Sequence, residues 1–391
     1  MEGSTNWLWK ALSRVGFLNI PALIMFILAS GCASTPAVPS GQRVEAAFNS
    51  YIKGKPELAG ASMLIHSDKH GIHTLLKADP EGPDAYHIAS IGKTFTSVLI
   101  GRLVDSGKLH FDDSVAQLLE PGLLDGLFVF KDVDHQGDVT IEELLAHTSG
   151  IADYFDDPAS GSARVSELIA SDPDRMWTAD ELLAFSRDRQ HAVGAPGAIF
   201  HYSDTGYIIL GLVVEKLYGA AFDQVLASEI LGPLGMDRTW MPWRSEPASG
   251  STTMRKAWLG KSEVSASRSV SADWSGGGIA STEEDLLRFQ KALWDGRLLS
   301  QASFTYMQSF DHEFRQGMRY GRGLMQFRFE EFMFLLASWP RMTGHIGILS
   351  THMLYDPKED IHVIVNFCGT AAMEDSVRLI IDVLGITLGR T

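Results

Sequence analysis

The sequence predicts an α/β fold of the α+β kind: an antiparallel sheet flanked by helices, built from both chain ends, with an inserted all-helical subdomain. Strand-like segments lie near residues 60–77 and again near 344–367, and between them apolar residues recur at helical spacing. Strands at both termini with helices in the middle imply a single sheet completed by the two chain ends. A cleft is expected where the sheet meets the helical subdomain.

The two ends of the chain supply the predicted sheet and its covering helices. Alternating apolar residues and turn residues predict strands, and apolar residues three or four apart predict helices. The expected elements are a helix at 44–52, strands at 60–66 and 73–77 joined by a turn at 68–71, strands at 344–355 and 361–367 joined by a turn at 356–358, and a closing helix at 373–384.

Helix-start signals support the helical middle. Three hydroxyl residues are each followed three positions later by glutamate, the pattern of a capping box: Thr140 with Glu143, Thr178 with Glu181, and Ser281 with Glu284. An apolar helix is expected from Asp204 to Tyr218, ending at Gly219.

Composition narrows the function classes. The chain has 391 residues, 45% of them hydrophobic, and a formal net charge of −15. Because nucleic-acid binding depends on clustered lysine and arginine, a nucleic-acid partner is excluded. Two cysteines, Cys32 and Cys368, are too few for a disulfide framework or a cysteine-rich metal site. No metal or organic cofactor is expected, and the sequence leaves the oligomeric state open.

The first 31 residues have the form of a signal peptide. Lys10 and Arg14 precede a short apolar stretch, which is too short to cross a bilayer as a mature helix. The segment Leu28 to Cys32 resembles the lipobox of bacterial lipoproteins, whose cysteine is lipidated after cleavage. A non-lipidated secretory signal or a retained anchor stays open, since Ala29 stands where leucine is usual. These features predict a protein exported and lipid-anchored to the cell envelope, on its periplasmic side.

This interpretation divides the chain into three parts. Residues 1–31 are the signal peptide, and 32–43 are the lipidated cysteine and a proline- and serine-containing tether. Residues 44–391 are the catalytic domain, whose sheet comes from 44–89 and 275–391 and whose helical subdomain spans about 90–274.

Ser90 and Lys93 are the candidate nucleophile and base. A spacing of three at the start of a helix places hydroxyl and amine on one face, and the free amides of the helix start, including that of Ser90, can stabilise an oxyanion. Ser50 and Lys53 match the same loose pattern, but they lie at the end of a helix where no such amides are available.

Two later segments carry further candidates. Tyr202 precedes Ser203 and Asp204, either of which could simply cap the following helix, whereas a phenol beside an ammonium group can relay a proton. His345, Ile346 and Gly347 are expected to begin a strand, where a lone histidine is more often a packing residue.

The order and context of these segments resemble the serine β-lactamase, penicillin-binding protein and esterase superfamily. His87 to Thr96 resembles its nucleophile motif, Tyr202-Ser203-Asp204 its Tyr-x-Asn element, and His345-Ile346-Gly347 its Lys-Thr-Gly or His-x-Gly strand. The resemblance implies acylation of Ser90, proton transfer shared by Lys93 and Tyr202, and an oxyanion hole formed by the amides of Ser90 and Ile348. The residues Asp204, His345, Ile346 and Gly347 would then line the substrate pocket, which the loops around Tyr154, Trp243 and Trp274 would shape.

Two departures bear on the substrate. Asp204 replaces the asparagine common in β-lactamases and puts a negative charge beside Lys93. His345 and Ile346 replace the lysine and threonine that in many members hold a substrate carboxylate. We therefore expect a serine hydrolase for small ester, amide or D-amino-acid peptide substrates, as an esterase, a D-Ala-D-Ala carboxypeptidase or a weak β-lactamase. The alternative is a non-catalytic, lipid-tethered cell-wall or protein-binding module on the same fold. An α/β-hydrolase is excluded, because no Gly-x-Ser-x-Gly elbow occurs.

Overall fold

A computed structural model describes residues 40–332 and 334–390. The predicted signal peptide (1–31) and most of the predicted tether, including Cys32, lie outside these described residues.

An eight-stranded antiparallel sheet forms the centre of the fold. The strands of the described residues are β1 (Ser62–Ser67), β2 (Ile72–Lys77), β3 (Tyr86–His87), β4 (Val129–Phe130), β5 (Val133–Asp134), β6 (Trp258–Leu259), β7 (Ser262–Glu263), β8 (Ala280–Ser281), β9 (His312–Arg315), β10 (Met318–Tyr320), β11 (Met325–Phe327), β12 (Met342–Gly347), β13 (Thr351–Asp356) and β14 (Ile361–Asn366). The large sheet has the order β2-β1-β14-β13-β12-β11-β10-β9. Because β1 pairs with β14, the two chain ends complete one sheet, and the predicted fold class is confirmed.

Helices cover both faces of this sheet and fill the middle of the chain. The α-helices of the described residues are α1 (Ser40–Ile52), α2 (Gly92–Asp105), α3 (Val115–Leu118), α4 (Ile141–Leu145), α5 (Val165–Ser171), α6 (Ala179–Arg189), α7 (Asp204–Tyr218), α8 (Phe222–Leu226), α9 (Gly232–Leu234), α10 (Trp274–Gly277), α11 (Glu283–Trp294), α12 (Gln301–Met307), α13 (Phe329–Phe332) and α14 (Met373–Thr387). Two small hairpins, β4–β5 and β6–β7, interrupt the mainly helical middle.

The direction of successive side chains along the strands explains why helices cover both faces of the sheet. In β1, Met63 and Ile65 join the apolar cluster formed with α1 and α14, whereas Leu64 points to the opposite cluster, which contains Phe289 of α11. Successive side chains of a strand point to opposite faces, so an apolar residue at every position requires a helix layer on each side.

Helix α2 is the central helix of the second cluster. Apolar and small polar residues are buried on every side of it, from Gly92 through Leu103. A helix that is buried all round belongs to the core of a domain. Its neighbours are α7, α10 and α12, so the position of its first turn is fixed by packing from several directions.

The structure corrects two boundaries. Helix α1 begins at Ser40, so the tether predicted at 32–43 extends too far along the chain. The first turn of α1 consists of polar and small residues, and therefore lacks the apolar periodicity by which a helix is recognised in a sequence. The segment predicted as one strand at 344–355 is two strands, β12 and β13, which turn back on each other at residues 348–350. Ser350 has a positive φ in this turn. Because residues other than glycine rarely adopt positive φ, a serine in the sequence does not indicate a turn of this kind.

One capping prediction is also wrong. The boxes at Thr140 and Thr178 are confirmed, but helix α11 is capped by Thr282, whose hydroxyl accepts a hydrogen bond from the Asp285 amide. Ser281 belongs instead to strand β8 and pairs with Tyr86. Both hydroxyls have an acidic residue three positions later, so spacing alone could not distinguish them.

Within the described residues no single helix combines the length and apolar composition needed to span a membrane. The bent pair formed by Asp204–Tyr218 and Phe222–Leu234, which meet at 74°, reaches that length and composition only when taken together.

A buried ion pair joins the sheet to helix α11 and gives a test of the packing. Arg255 donates to Glu283 at 2.8 Å, both side chains are less than 5% exposed, and Ser62 of β1 bonds to both. Replacing Glu283 with alanine leaves a buried guanidinium uncompensated, so the free energy of unfolding should fall by about 3–5 kcal/mol in urea denaturation. The neighbouring, half-exposed Glu284 is the control: Glu284→Ala should cost less than about 1 kcal/mol. Equal losses in the two variants would contradict this.

Candidate active site

Ser90 lies in a tight turn at the entrance of helix α2. Residues Ala89–Ile91 form a short 3₁₀ turn, and Ala89 has a φ of +50°, a strained value for a residue with a side chain. Helix α10 packs directly on this turn: a Cβ at Gly277 would lie 2.7 Å from the carbonyl carbon of Ala89. Glycine is therefore required at this close approach, and the turn leaves Ser90 partly exposed at the start of a buried helix.

Lys93 lies one turn further along the same helix face and is wholly buried. Its Nζ atom donates to Ser90 Oγ at 3.1 Å and to the carbonyl oxygen of Gly276 at 3.0 Å. It also forms an ion pair with Asp204, the first residue of helix α7. The ammonium group thus joins three separate segments of the chain at one point.

The ion pair controls the charge of Lys93. Burial favours the neutral amine, but the carboxylate of Asp204 and the interaction with Tyr202 outweigh it, so the pKa of Lys93 is raised above its usual value. A lysine acts as a base only as the neutral amine, which a lowered pKa would favour. The structure instead holds the resting side chain as an ammonium ion.

Tyr202 lies beside this pair. Its hydroxyl interacts with Ser90 and Lys93, and both interactions favour the phenolate, but burial is the larger effect and the pKa of Tyr202 is raised. The ring of Tyr202 packs on the ring of His147, with centroids 4.2 Å apart. His147 Nδ1 in turn accepts a hydrogen bond from the Ser203 amide at 3.1 Å.

This contact gives His147 a part in the site that sequence reasoning did not assign. His147 lies just after the end of α4. Burial and the nearby Lys93 lower its pKa, so the imidazole is neutral. The backbone of His147 has a φ of +58°. No spacing pattern in the sequence reveals such a conformation, so the position of this side chain could not be predicted.

Strand β12 brings a second backbone against the Ser90 turn. A Cβ at Gly347 would lie 2.6 Å from the Ile88 carbonyl oxygen, and Thr351 of β13 donates to that same oxygen at 2.9 Å. Ile348 follows directly after the strand. Ser90 and Ile348 therefore both line one cavity, of about 140 Å³, at the junction of sheet and helices.

His345 does not reach that cavity. The predicted pocket residues Asp204, Ile346 and Gly347 are on its wall, but His345 is not among the described residues that line it. Its side chain is wholly buried and bonds to Tyr320 and to the Ile346 carbonyl. Burial and Lys93 lower its pKa to about 3, so the ring is neutral. The strand also ends at these residues, whereas the sequence predicted that it begins there.

The cavity has a wall that the sequence analysis missed. Its acidic members come from the loop after α4 and from the end of a 3₁₀ helix. The described residues that line the cavity besides those above include Asp153, Asp156, Asp157, His201, Asp273, Phe314 and Arg315. The loops near Tyr154 and Trp274 do shape the pocket, as expected, through their neighbours. Trp243 stacks on His87 instead. Loop residues follow no periodic pattern, so the sequence shows that these residues are acidic but does not show that they meet at one cavity.

Together these residues define a class of protein: a serine hydrolase fold with a serine and a buried lysine at its centre. A family model described as Beta-lactamase matches residues 50–381, and the chain belongs to this family. It is therefore an enzyme of a serine hydrolase family.

Curated relatives match in part. Penicillin-binding protein 4 of Amycolatopsis lactamdurans is 34% identical over 158 residues, which is 39% of this chain and 35% of that protein. A putative D-alanyl-D-alanine carboxypeptidase of Escherichia coli is 29% identical over 155 residues, 39% of this chain and 33% of that protein. The matched region thus spans about a third of the length of each relative.

Solved structures match almost completely. A D-stereospecific amidohydrolase from Streptomyces sp. has a TM-score of 0.72 at 23% identity, covering 90% of this chain and 100% of that one. The D-amino acid amidase of Ochrobactrum anthropi, complexed with D-phenylalanine, has a TM-score of 0.72 at 19% identity, covering 90% and 99%. At these identities the likeness shows the fold.

The ion pair predicts how pH controls the site. In Asp204→Asn the carboxylate that raises the pKa of Lys93 is lost while burial, which lowers it, remains. The neutral amine of Lys93 should then form at lower pH. In the pH profile of the rate at which a fluorophosphonate modifies Ser90, the acid limb should therefore move down by about one pH unit or more. The exposed Asp188→Asn is the control and should leave the limb in place. A limb that stays fixed in Asp204→Asn would contradict the assigned coupling.

Proposed function

We propose that the protein is a cofactor-independent serine hydrolase that forms an acyl-Ser90 intermediate from ester, amide or D-amino-acid peptide substrates. The observation that carries this proposal is the 3.1 Å hydrogen bond between Lys93 and a partly exposed Ser90 that lines a cavity. A buried base beside an accessible hydroxyl is the arrangement that nucleophilic catalysis requires.

In the first step Ser90 must lose its proton as it attacks. The competent form of the site has Lys93 as the neutral amine, which forms when its ammonium group loses a proton to solvent. The resulting amine takes the proton of Ser90 Oγ while the oxygen bonds to the substrate carbonyl carbon. The carbonyl oxygen becomes an oxyanion, to which the backbone amides of Ser90 and Ile348 donate in this proposal. The presence of both residues on the cavity wall supports that assignment.

The second step releases the leaving group. Tyr202 donates its phenolic proton to the leaving oxygen or nitrogen as the bond to the carbonyl carbon breaks, and Lys93 returns a proton to the phenolate. The interactions of Tyr202 with both Ser90 and Lys93 support this relay. Water then attacks the acyl-Ser90 ester by the reverse route, releasing the acid and restoring Ser90.

The pocket favours some substrates over others within this class. Many members of the superfamily hold a substrate carboxylate with a lysine on the strand that here carries His345, and that histidine is buried and neutral. Efficient recognition of a penicillin or a D-Ala-D-Ala carboxylate through this strand is therefore not expected. An esterase or an amidase is the better-supported form of the activity.

We also propose that the enzyme is exported and lipid-anchored through Cys32. The signal-like segment and the lipobox-like sequence support this. Mass analysis of the full-length protein from its membrane fraction tests it: a lipid-modified Cys32 at the N-terminus is expected, and an unmodified or uncleaved chain would contradict it.

The hydrolase predicts covalent labelling at one serine. Intact-mass spectrometry of the chain from Ser40, after exposure to a fluorophosphonate, should show one adduct in the wild type and none in Ser90→Ala. Ser50→Ala is a matched control, since Ser50 has the same spacing to a lysine but donates to a helix carbonyl at Ala47. It should label like the wild type. A folded wild type that takes up no probe would favour the non-catalytic binding module instead.

A fluorescent penicillin, used in parallel, distinguishes the substrate classes. The neutral His345 predicts weak or slow labelling at concentrations at which the fluorophosphonate reacts fully. Rapid stoichiometric acylation by penicillin would show that a carboxylate is well recognised in spite of that residue.

A further inference from the structure

Asp273 occupies an unusual position on the cavity wall. It ends the 3₁₀ helix Arg268–Asp273, and the next residue, Trp274, has a φ of +27°. The indole of Trp274 is buried, packs against Phe222 and lies under the guanidinium of Arg244. A bulky side chain with positive φ is strained, and such strain persists where surrounding structure enforces it. The anchored tryptophan leaves Asp273 on the wall that also contains Ser90.

The other carboxyl groups of the cavity already have partners. Asp204 pairs with Lys93, Asp157 accepts from His201 at 2.7 Å, and Asp156 pairs with Arg164 at 3.5 Å. Asp153 accepts hydrogen bonds from three backbone amides, those of Asp204, Phe155 and Asp156. The remaining cation of the wall, Arg315, interacts with Asp156.

Asp273 differs from all of these. Among the described residues it has no hydrogen-bond or ion-pair partner, although it lines the same cavity. Burial and the charge of Asp204 raise its pKa to about 7, while Lys93 acts in the opposite direction. A partly buried carboxyl group without a partner is unfavourable as an anion, so a cation bound beside it would stabilise its charged form.

We propose that Asp273 is a specificity-determining residue that binds an ammonium group carried by the acyl part of the substrate. The preferred substrates are then esters or amides with a free amine near the scissile carbonyl. This inference rests on the proposed hydrolase function and names its substrate class. It reverses the charge preference of a site that holds a carboxylate: an unpartnered carboxyl side chain faces the cavity, and the strand histidine is neutral and does not line it.

The test compares two substrates that differ only in that charge, D-phenylalanine amide and N-acetyl-D-phenylalanine amide. The wild type should have the higher kcat/KM for the free amine. In Asp273→Asn, which keeps the shape of the side chain, this preference should fall on the order of 10- to 100-fold, as expected for a lost hydrogen bond between charged groups. The kcat/KM for the acetylated amide should change little.

Three further variants make the result interpretable. Asp273→Glu retains the charge and should retain the preference, and Asp273→Ser is a second neutral variant should the asparagine variant not fold. Asp188→Asn removes an exposed carboxylate elsewhere and should behave as the wild type. A neutral variant with an unchanged preference, or a wild type that prefers the acetylated amide, would overturn the role of Asp273. Either result is distinguishable from failure of the hydrolase itself, in which Ser90 takes up no fluorophosphonate.

Discussion

The buried ion pair between Lys93 and Asp204 is the interaction on which the site depends. It joins the first turn of α2 to the first turn of α7, and the hydrogen bond from Lys93 to the carbonyl of Gly276 adds α10. Two charges removed from water are stable only while both remain, because an unpaired buried charge costs several kcal/mol. The pair therefore holds three segments, distant in sequence, around the Ser90 hydroxyl, and it sets the charge state in which Lys93 waits for substrate.

Strained backbone surrounds this pair. Four residues with side chains have positive φ around the site: Ala89 beside the nucleophile, His147 beside Tyr202, Trp274 beside the cavity wall, and Ser350 in the turn after β12. Glycines at 277 and 347 let two backbones approach the Ser90 turn more closely than a side chain would permit. The sheet and the helices together enforce these conformations, which is how a fold maintains strain at a functional site. The backbone thus shapes the cavity around the Ser90 turn, and the charged side chains of its wall come from loops, helix ends and strand β9.

Much of this arrangement could be predicted from the sequence because its signals are local. Periodicity identified both chain ends as sheet, and a spacing of three placed Ser90 beside Lys93. Asp204 was expected to add negative charge at Lys93, but the direction of the resulting pKa shift depends on a balance between burial and charge that only coordinates reveal. Tertiary packing determines three features that no local sequence pattern indicates: the turn at 348–350, the burial of the His345 side chain, and the position of Asp273 on the cavity wall.

The central claim is that Asp204 holds Lys93 as an ammonium ion beside Ser90, and the direct measurement is its ionisation state. Nitrogen-15 NMR of lysine-labelled wild-type protein, with Lys93→Arg to assign the resonance, follows the Lys93 Nζ signal as pH rises. The account predicts an ammonium signal that persists to about pH 10 or above, since its pKa is raised rather than lowered. A Lys93 signal that already has the shift of a neutral amine at about pH 7 would contradict it.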